Sequence, residues 1–233
     1  MPSSSTRILK DGDHALRPRK AGNSICLATI SDLSKFLTMS DTFRLQHLSP
    51  ESDLVPRLAA LHLQCLPHTL TSNRGVKTVE GLYRHLLSLN HDIYAAVQGV
   101  DVIGGVVVTK AGVPAGTSSL LLHRPLSWIL ALRRLGPMKF FQQLADLVSL
   151  RIRTRHLPPH DYIIALYVSE QSRRLGIATE LLRQCAGAAA SSHVTLGVDT
   201  AIDNVTALRL YRSNDFIERS RTRTSILLTR NAE

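Results

Sequence analysis

The residues best placed to do chemistry lie in one stretch, Asp161 to Ser191, reading DYIIALYVSEQSRRLGIATELLRQCAGAAAS. Tyr162–Val168 is an almost wholly apolar run rich in β-branched and aromatic side chains, which predicts a strand buried on both faces. Polar residues follow as far as Arg174, then Gly176, after which Ile177, Leu181, Leu182 and Cys185 recur at the spacing of an amphipathic helix. The first N–H groups of such a helix lack intrahelical partners and carry the positive end of its dipole, a setting that suits a phosphate. Arg173 and Arg174 stand beside that turn, so the chemistry the pattern predicts is anion binding. The other candidates are weaker taken singly. Asp161, Glu170, Asp199 and His68 read as solvated or capping side chains, and Tyr211 reads as a core tyrosine on an apolar helical face.

The elements that must position this turn follow from periodicity. Thr42–Leu48 alternates as a half-buried strand. A helix then opens at Ser49-Pro50 or Ser52-Asp53, with Leu54, Leu58, Leu61, His62 and Cys65 on its apolar face. Cys65–Gly75 predicts a loop, and Thr78 is expected to cap a second helix carrying Leu82, Tyr83, Leu86 and Leu87 and ending near Asn90. Ile93–Val97 and Val102–Thr109 read as strands joined at Gln98-Gly99-Val100-Asp101, with a bulge or close backbone approach at Gly104-Gly105. Beyond the central unit come a strand over Val194–Asp199, a helix from Asp203 or Asn204 carrying Val205, Ala207, Leu208 and Tyr211, and strands over Ile217–Ser220 and Thr224–Thr229.

Composition bounds what this unit belongs to. A chain of 233 residues with 44% hydrophobic residues buries one good-sized core, so one domain over residues 41–233 is expected. Residues 1–40 lack sustained periodicity and are expected to form a disordered extension; a start at Met39 competes with a functional basic arm. Cys26, Cys65 and Cys185 are odd in number and outside any CxxC pattern, which indicates neither a disulfide framework nor a metal site and suits the cytoplasm. The net charge of +10 is concentrated in residues 111–160, where Arg124, Arg133, Arg134, Lys139, Arg151, Arg153 and Arg155 face Asp146 alone. This basic segment predicts a helical insertion with helices from Pro125 to before Gly136 and from Met138 to about Thr154. A lid over the site, a peripheral membrane contact and an oligomer contact such as a homodimer are its three open roles.

Two motifs carry a resemblance. Arg173-Arg174-Leu175-Gly176-Ile177-Ala178 matches Arg/Gln-x-x-Gly-x-Gly/Ala, and Asn204, Ala207, Leu210-Tyr211 and Asp215-Phe216 match a downstream pattern of Asn, Ala, Leu-Tyr and Gly-Phe. Over residues 42–230 the chain resembles the GNAT superfamily of acyl-CoA-dependent N-acyltransferases, in a bacterial form with a long insertion between the third and fourth strands. The resemblance implies an α+β fold: a mixed, mostly antiparallel twisted sheet with one parallel, splayed pair of strands and flanking helices.

The resemblance further implies acetyl-CoA as co-substrate, with no metal, and transfer of acetyl to a primary amine of a small molecule or amino sugar by direct attack. A non-catalytic acyl-CoA-binding regulatory module and transfer to a protein amine are the alternatives, and no nucleic acid is expected. In residues, it implies cofactor contacts from Val168, Arg173, Arg174, Leu175, Gly176, Ile177, Ala178 and Asn204, and Tyr211 as general acid. Gly176 leaves room for a phosphate oxygen to approach the backbone, and Ala178 is small enough to allow it. The chain departs from the pattern twice. Tyr162, beside Asp161, stands where many relatives carry a basic glutamate, which leaves Asp161, Glu170, Asp199 and His68 as candidate bases. Asp215 replaces a glycine, which a left-handed Asp accommodates.

Overall fold

A computed structural model describes residues 43–67, 72, 75–111, 138, 152, 154, 157 and 159–232. Chain order gives β1 (Arg44–His47), α1 (Leu54–Cys65), α2 (Val76–Ser88), β2 (Asp92–Gln98), β3 (Asp101–Thr109), β4 (His160–Val168), α3 (Ile177–Ser191), β5 (Thr195–Ala201), α4 (Val205–Arg212), β6 (Ile217–Arg221) and β7 (Ser225–Arg230). A single 3-10 turn, Glu170–Ser172, links β4 to α3. His68, most of the expected insertion and residues 1–42 lie outside the described residues. Among the described residues no helix is long and apolar enough to cross a membrane.

The strands form one mixed sheet in the order β1-β2-β3-β4-β5-β7-β6, in which only β4 and β5 run parallel. Helices cover both faces. On one face α1 and α2 pack Leu58, Leu61, Leu82, Tyr83 and Leu86 against Ile93, Ala95, Val107, Ala165 and Tyr167. On the other, α3 and α4 pack Ile177, Leu181, Leu182, Leu208 and Tyr211 against Val106, Ile163, Leu196, Val198 and Ile226.

Local sequence explains most boundaries. Pro56 falls in the first turn of α1, where no intrahelical N–H is needed, so it starts the helix rather than breaking it. The expected cap at Thr78 is corrected: α2 begins two residues earlier, because Gly75 at φ 88° turns the chain into the helix and its carbonyl already accepts from Thr78. The β2–β3 hairpin turns at Gly99 as expected, and Ile103, just before the glycine pair, is the extra residue of a bulge.

The expectation that β4 is buried on both faces is also corrected. Opposite β3, Ala165 pairs with Val107 and Ile163 with Val108, which leaves Ile164 as an unpaired bulge residue. Ile164 is 38% exposed although it lies in a central strand. The bulge reverses the alternation of the strand. Ile163 faces α3, whereas Ala165 and Tyr167 face α1 and α2. At Gly105, opposite Tyr167, an added Cβ would meet Leu58 Cδ1, so a larger residue would require the Leu58 side chain of α1 to shift.

Candidate functional site

The site is built where the parallel pair comes apart. β4 and β5 are in register for four pairs, His160↔Thr195 to Ile163↔Val198; β4 then runs on to Val168 and β5 to Ala201 with no further pairing between them. The separation starts at the Ile164 bulge. At its mouth, Ser169 N–H donates to Ile103 O at 2.8 Å, so Ile103 and Ser169 form a hydrogen-bonded pair and the adjacent Gly104↔Val168 pair is of the narrow, unbonded kind. The Val168 peptide groups therefore point away from β3 and into the opening. The Val168 carbonyl accepts from Cys65 Sγ at 3.5 Å, and the Val168 N–H is left for an acceptor from outside the sheet.

Beyond Val168 the chain winds into a cradle of donors. Arg173 is extended (φ −66°, ψ 155°), Arg174 is left-handed at φ 67°, and Gly176 caps α3 from the left-handed region (φ 78°, ψ −2°). Such alternation turns successive N–H groups toward one concavity. Among the described residues, no backbone or side-chain acceptor takes the N–H groups of residues 174–179, the first carbonyl of the turn being bound by Glu180 N–H at 3.0 Å. A Cβ at Gly176 would meet nothing within 4 Å, so the space in front of the helix is open. Arg173, Arg174 and Leu175 are exposed around it, Ala178 is half-buried, and Ile177 is buried as the anchor to the sheet. Donors without acceptors, an open space and two guanidinium groups together fit a pyrophosphate.

Tyr211 lies on α4, in the same core cluster as Ile177. Its ring is buried against Phe216, with centroids 5.5 Å apart, and burial pushes its hydroxyl up to about 12, so it keeps its proton at neutral pH. None of the hydrogen bonds among the described residues involves that hydroxyl. Asn204 is the N-cap of α4, its side-chain oxygen accepting from Ala207 N at 3.1 Å, which leaves only its amide nitrogen for a ligand. Asp215 holds the left-handed conformation that the sequence demanded, at φ 66°.

The described candidate bases stand at different places along the sheet. Asp161 is buried at the far end of β4, where its Oδ1 accepts from Ala111 N at 2.8 Å. Tyr162 lies beside Gly197 in the paired part of the strands, and Glu170 is exposed in the 3-10 turn. Asp199 is the first β5 residue past the last β4–β5 pair. Because Val198 faces α3, alternation turns Asp199 to the other side of the sheet.

A family model described as "Acetyltransferase (GNAT) family" matches residues 92–216, more than half of the 233-residue chain. The chain belongs to the GNAT acetyltransferase family. Solved structures with the same GNAT architecture include an N-acetyltransferase from Staphylococcus aureus Mu50 (10% identity, TM-score 0.54, covering 82% of this chain and 99% of that one). The ribosomal-protein-S18-alanine N-acetyltransferase from Escherichia coli is another (11%, 0.51, 82% and 95%). A third is a chain of the NatC complex bound to Gag peptide and CoA (16%, 0.51, 81% and 98%). At these identities the likeness is one of fold. No curated protein matches the sequence.

Three features of this GNAT site escaped the sequence reading. The Ile164 bulge has no local signature in an apolar run. Cys65 reaches Val168 across 103 residues of chain. His62 falls on the apolar face of α1, and its presence there among leucines is the one sequence signal that the helix buries a polar contact.

Proposed function

We propose that this chain transfers the acetyl group of acetyl-CoA to a primary amine of a small molecule or amino sugar. The observation that carries the proposal is the open N–H cradle at residues 174–179 beyond the end of β4, whose Val168 N–H turns into the β4–β5 opening, with Tyr211 carried on the helix that follows β5. In this reading the α3 N-terminus, with Arg173, Arg174, Leu175, Gly176, Ile177 and Ala178, holds the pyrophosphate. The Asn204 amide nitrogen contributes from the edge. The apolar flank at Ile164 accommodates the uncharged arm of the cofactor.

The Val168 N–H hydrogen-bonds the thioester carbonyl and stabilises the negative charge that develops on its oxygen. As the C–N bond forms and the C–S bond breaks, the amine proton passes to a base and the departing thiolate receives a hydrogen bond and proton from Tyr211. Asp199 is the carboxylate best placed for the base, at the point of strand separation and on the face away from α3. Asp161 is set aside by its structural bond to Ala111.

The test is release of free CoA from acetyl-CoA with a panel of small amines, nucleotide-linked amino sugars and peptides, since structural neighbours include an enzyme named for a ribosomal protein and a complex bound to a peptide. In wild type and Tyr211→Phe, acetyl-CoA affinity should agree within about twofold while kcat falls by about tenfold or more. Equal losses of kcat and affinity would make Tyr211 a packing residue. Acetyl-CoA binding without turnover on any amine would favour the regulatory-module alternative.

A further inference from the structure

We propose that His62, Tyr83 and Tyr167 form a buried strut that sets the position of the Val168 peptide relative to α1, and that they are positioning residues for acetyl transfer. The inference rests on the acetyltransferase reading for its catalytic consequence but not for its geometry. His62 Nδ1 lies 2.6 Å from the Tyr83 hydroxyl, which lies 2.9 Å from the Tyr167 hydroxyl, which donates to the Leu58 carbonyl at 3.3 Å. One proton order satisfies all three contacts: His62 Nδ1–H donates to Tyr83, Tyr83 donates to Tyr167, and Tyr167 donates to α1. All three side chains are buried, at 4%, 1% and 5% exposure, and burial keeps both phenols protonated and the imidazole neutral.

The chain joins elements far apart in sequence. His62 and Leu58 belong to α1, Tyr83 to α2, and Tyr167 to β4 one residue before Val168. Its ring contacts reinforce the link, with the His62 imidazole edge-on to both Tyr83 and Tyr167. Two structural choices make room for it. The Ile164 bulge turns Tyr167 toward α1 and α2, and the missing side chain at Gly105 leaves space beside the Tyr167 hydroxyl. One turn on from His62, Cys65 Sγ meets the Val168 carbonyl, so α1 holds both residues of the Tyr167–Val168 step. A purely apolar contact would stabilise the same packing, but it would fix neither the height nor the rotation of the strand end. A directed chain of hydrogen bonds fixes both, at the strand end carrying the N–H proposed to meet the thioester.

The experiment compares the full-length wild type with Tyr83→Phe, His62→Leu and His62→Asn, the last placing an amide N–H where Nδ1 stands. Amide hydrogen exchange is read at Ser169, whose N–H bonds Ile103, and at Leu66, alongside acetyl-CoA affinity and CoA release. Tyr83→Phe and His62→Leu should exchange at least tenfold faster at Ser169 and Leu66 with α3 and β5 unchanged. They should lose about tenfold or more in kcat with acetyl-CoA affinity within twofold, and His62→Asn should restore both readouts to within about threefold. Unchanged exchange at Ser169 overturns the strut, as does a rise spread evenly over the molecule. Faster local exchange with wild-type turnover overturns the catalytic role. A wild type that binds no acetyl-CoA sinks the acetyltransferase reading, while the exchange data still decide the strut.

Discussion

At the scale of single residues, burial decides protonation in this protein, and it does so in opposite directions for groups that need opposite things. Tyr211 is kept protonated, as the role proposed for it, donor to a leaving thiolate, requires. His62 is kept neutral, its value lowered to about 4 by burial. The unfolded chain takes up a proton on this imidazole near its ordinary value of about 6.5, while the folded chain does not until about 4. Between those two values the unfolded state therefore binds more protons, and stability falls as the pH falls. Denaturant unfolding of the wild type from pH 7 to pH 4 should show a progressive loss attributable to His62 of up to about 3 kcal/mol. His62→Asn, which has no proton to gain, should flatten that part of the curve. Parallel curves for the two proteins would mean that His62 is solvated in the folded state.

At the scale of elements, the decisive one is the turn between β4 and α3. Its donor cradle exists because two residues in a row of three, Arg174 and Gly176, adopt positive φ. An arginine in that conformation costs about 1 kcal/mol, a local strain of the kind found where backbone groups are aimed at a ligand. Gly176→Glu places a Cβ in a conformation that favours glycine and a carboxylate in the open space before the helix. Acetyl-CoA binding measured by titration calorimetry should weaken by at least about a hundredfold, since like charge replaces the dipole and N–H attraction. Thermal unfolding should shift only modestly, because no neighbour lies within 4 Å of that Cβ. Unchanged binding would remove the pyrophosphate from this turn.

At the scale of the whole sheet, the opening is produced by ending the ladder between the parallel strands β4 and β5. Arg173 and Arg174, exposed beside the cradle, favour a polyanionic ligand through charge that salt screens. Acetyl-CoA affinity should therefore weaken several-fold between about 0.05 M and 0.5 M salt, as the Debye length falls from over 10 Å to below 5 Å. Salt-independent affinity would mean that the short-range cradle alone accounts for binding.

What the sequence determined by itself was whatever depends on neighbours along the chain. The strand-turn-helix unit, the glycine at the α3 cap, Asn204 at the start of α4 and the left-handed Asp215 are all dictated within a few residues, by periodicity and by φ. The family motifs were legible for the same reason. What only the tertiary structure decided involves residues distant in sequence. It placed Asp199 at the separation and Asp161 away from it, converted an apolar run into a bulged strand with one exposed isoleucine, and joined His62, Tyr83 and Tyr167. Register against β3 and β5, and the packing of α1 and α2 on the sheet, set these features. No pattern within a single segment encodes which face a residue takes after a bulge, because the partner strand creates the bulge.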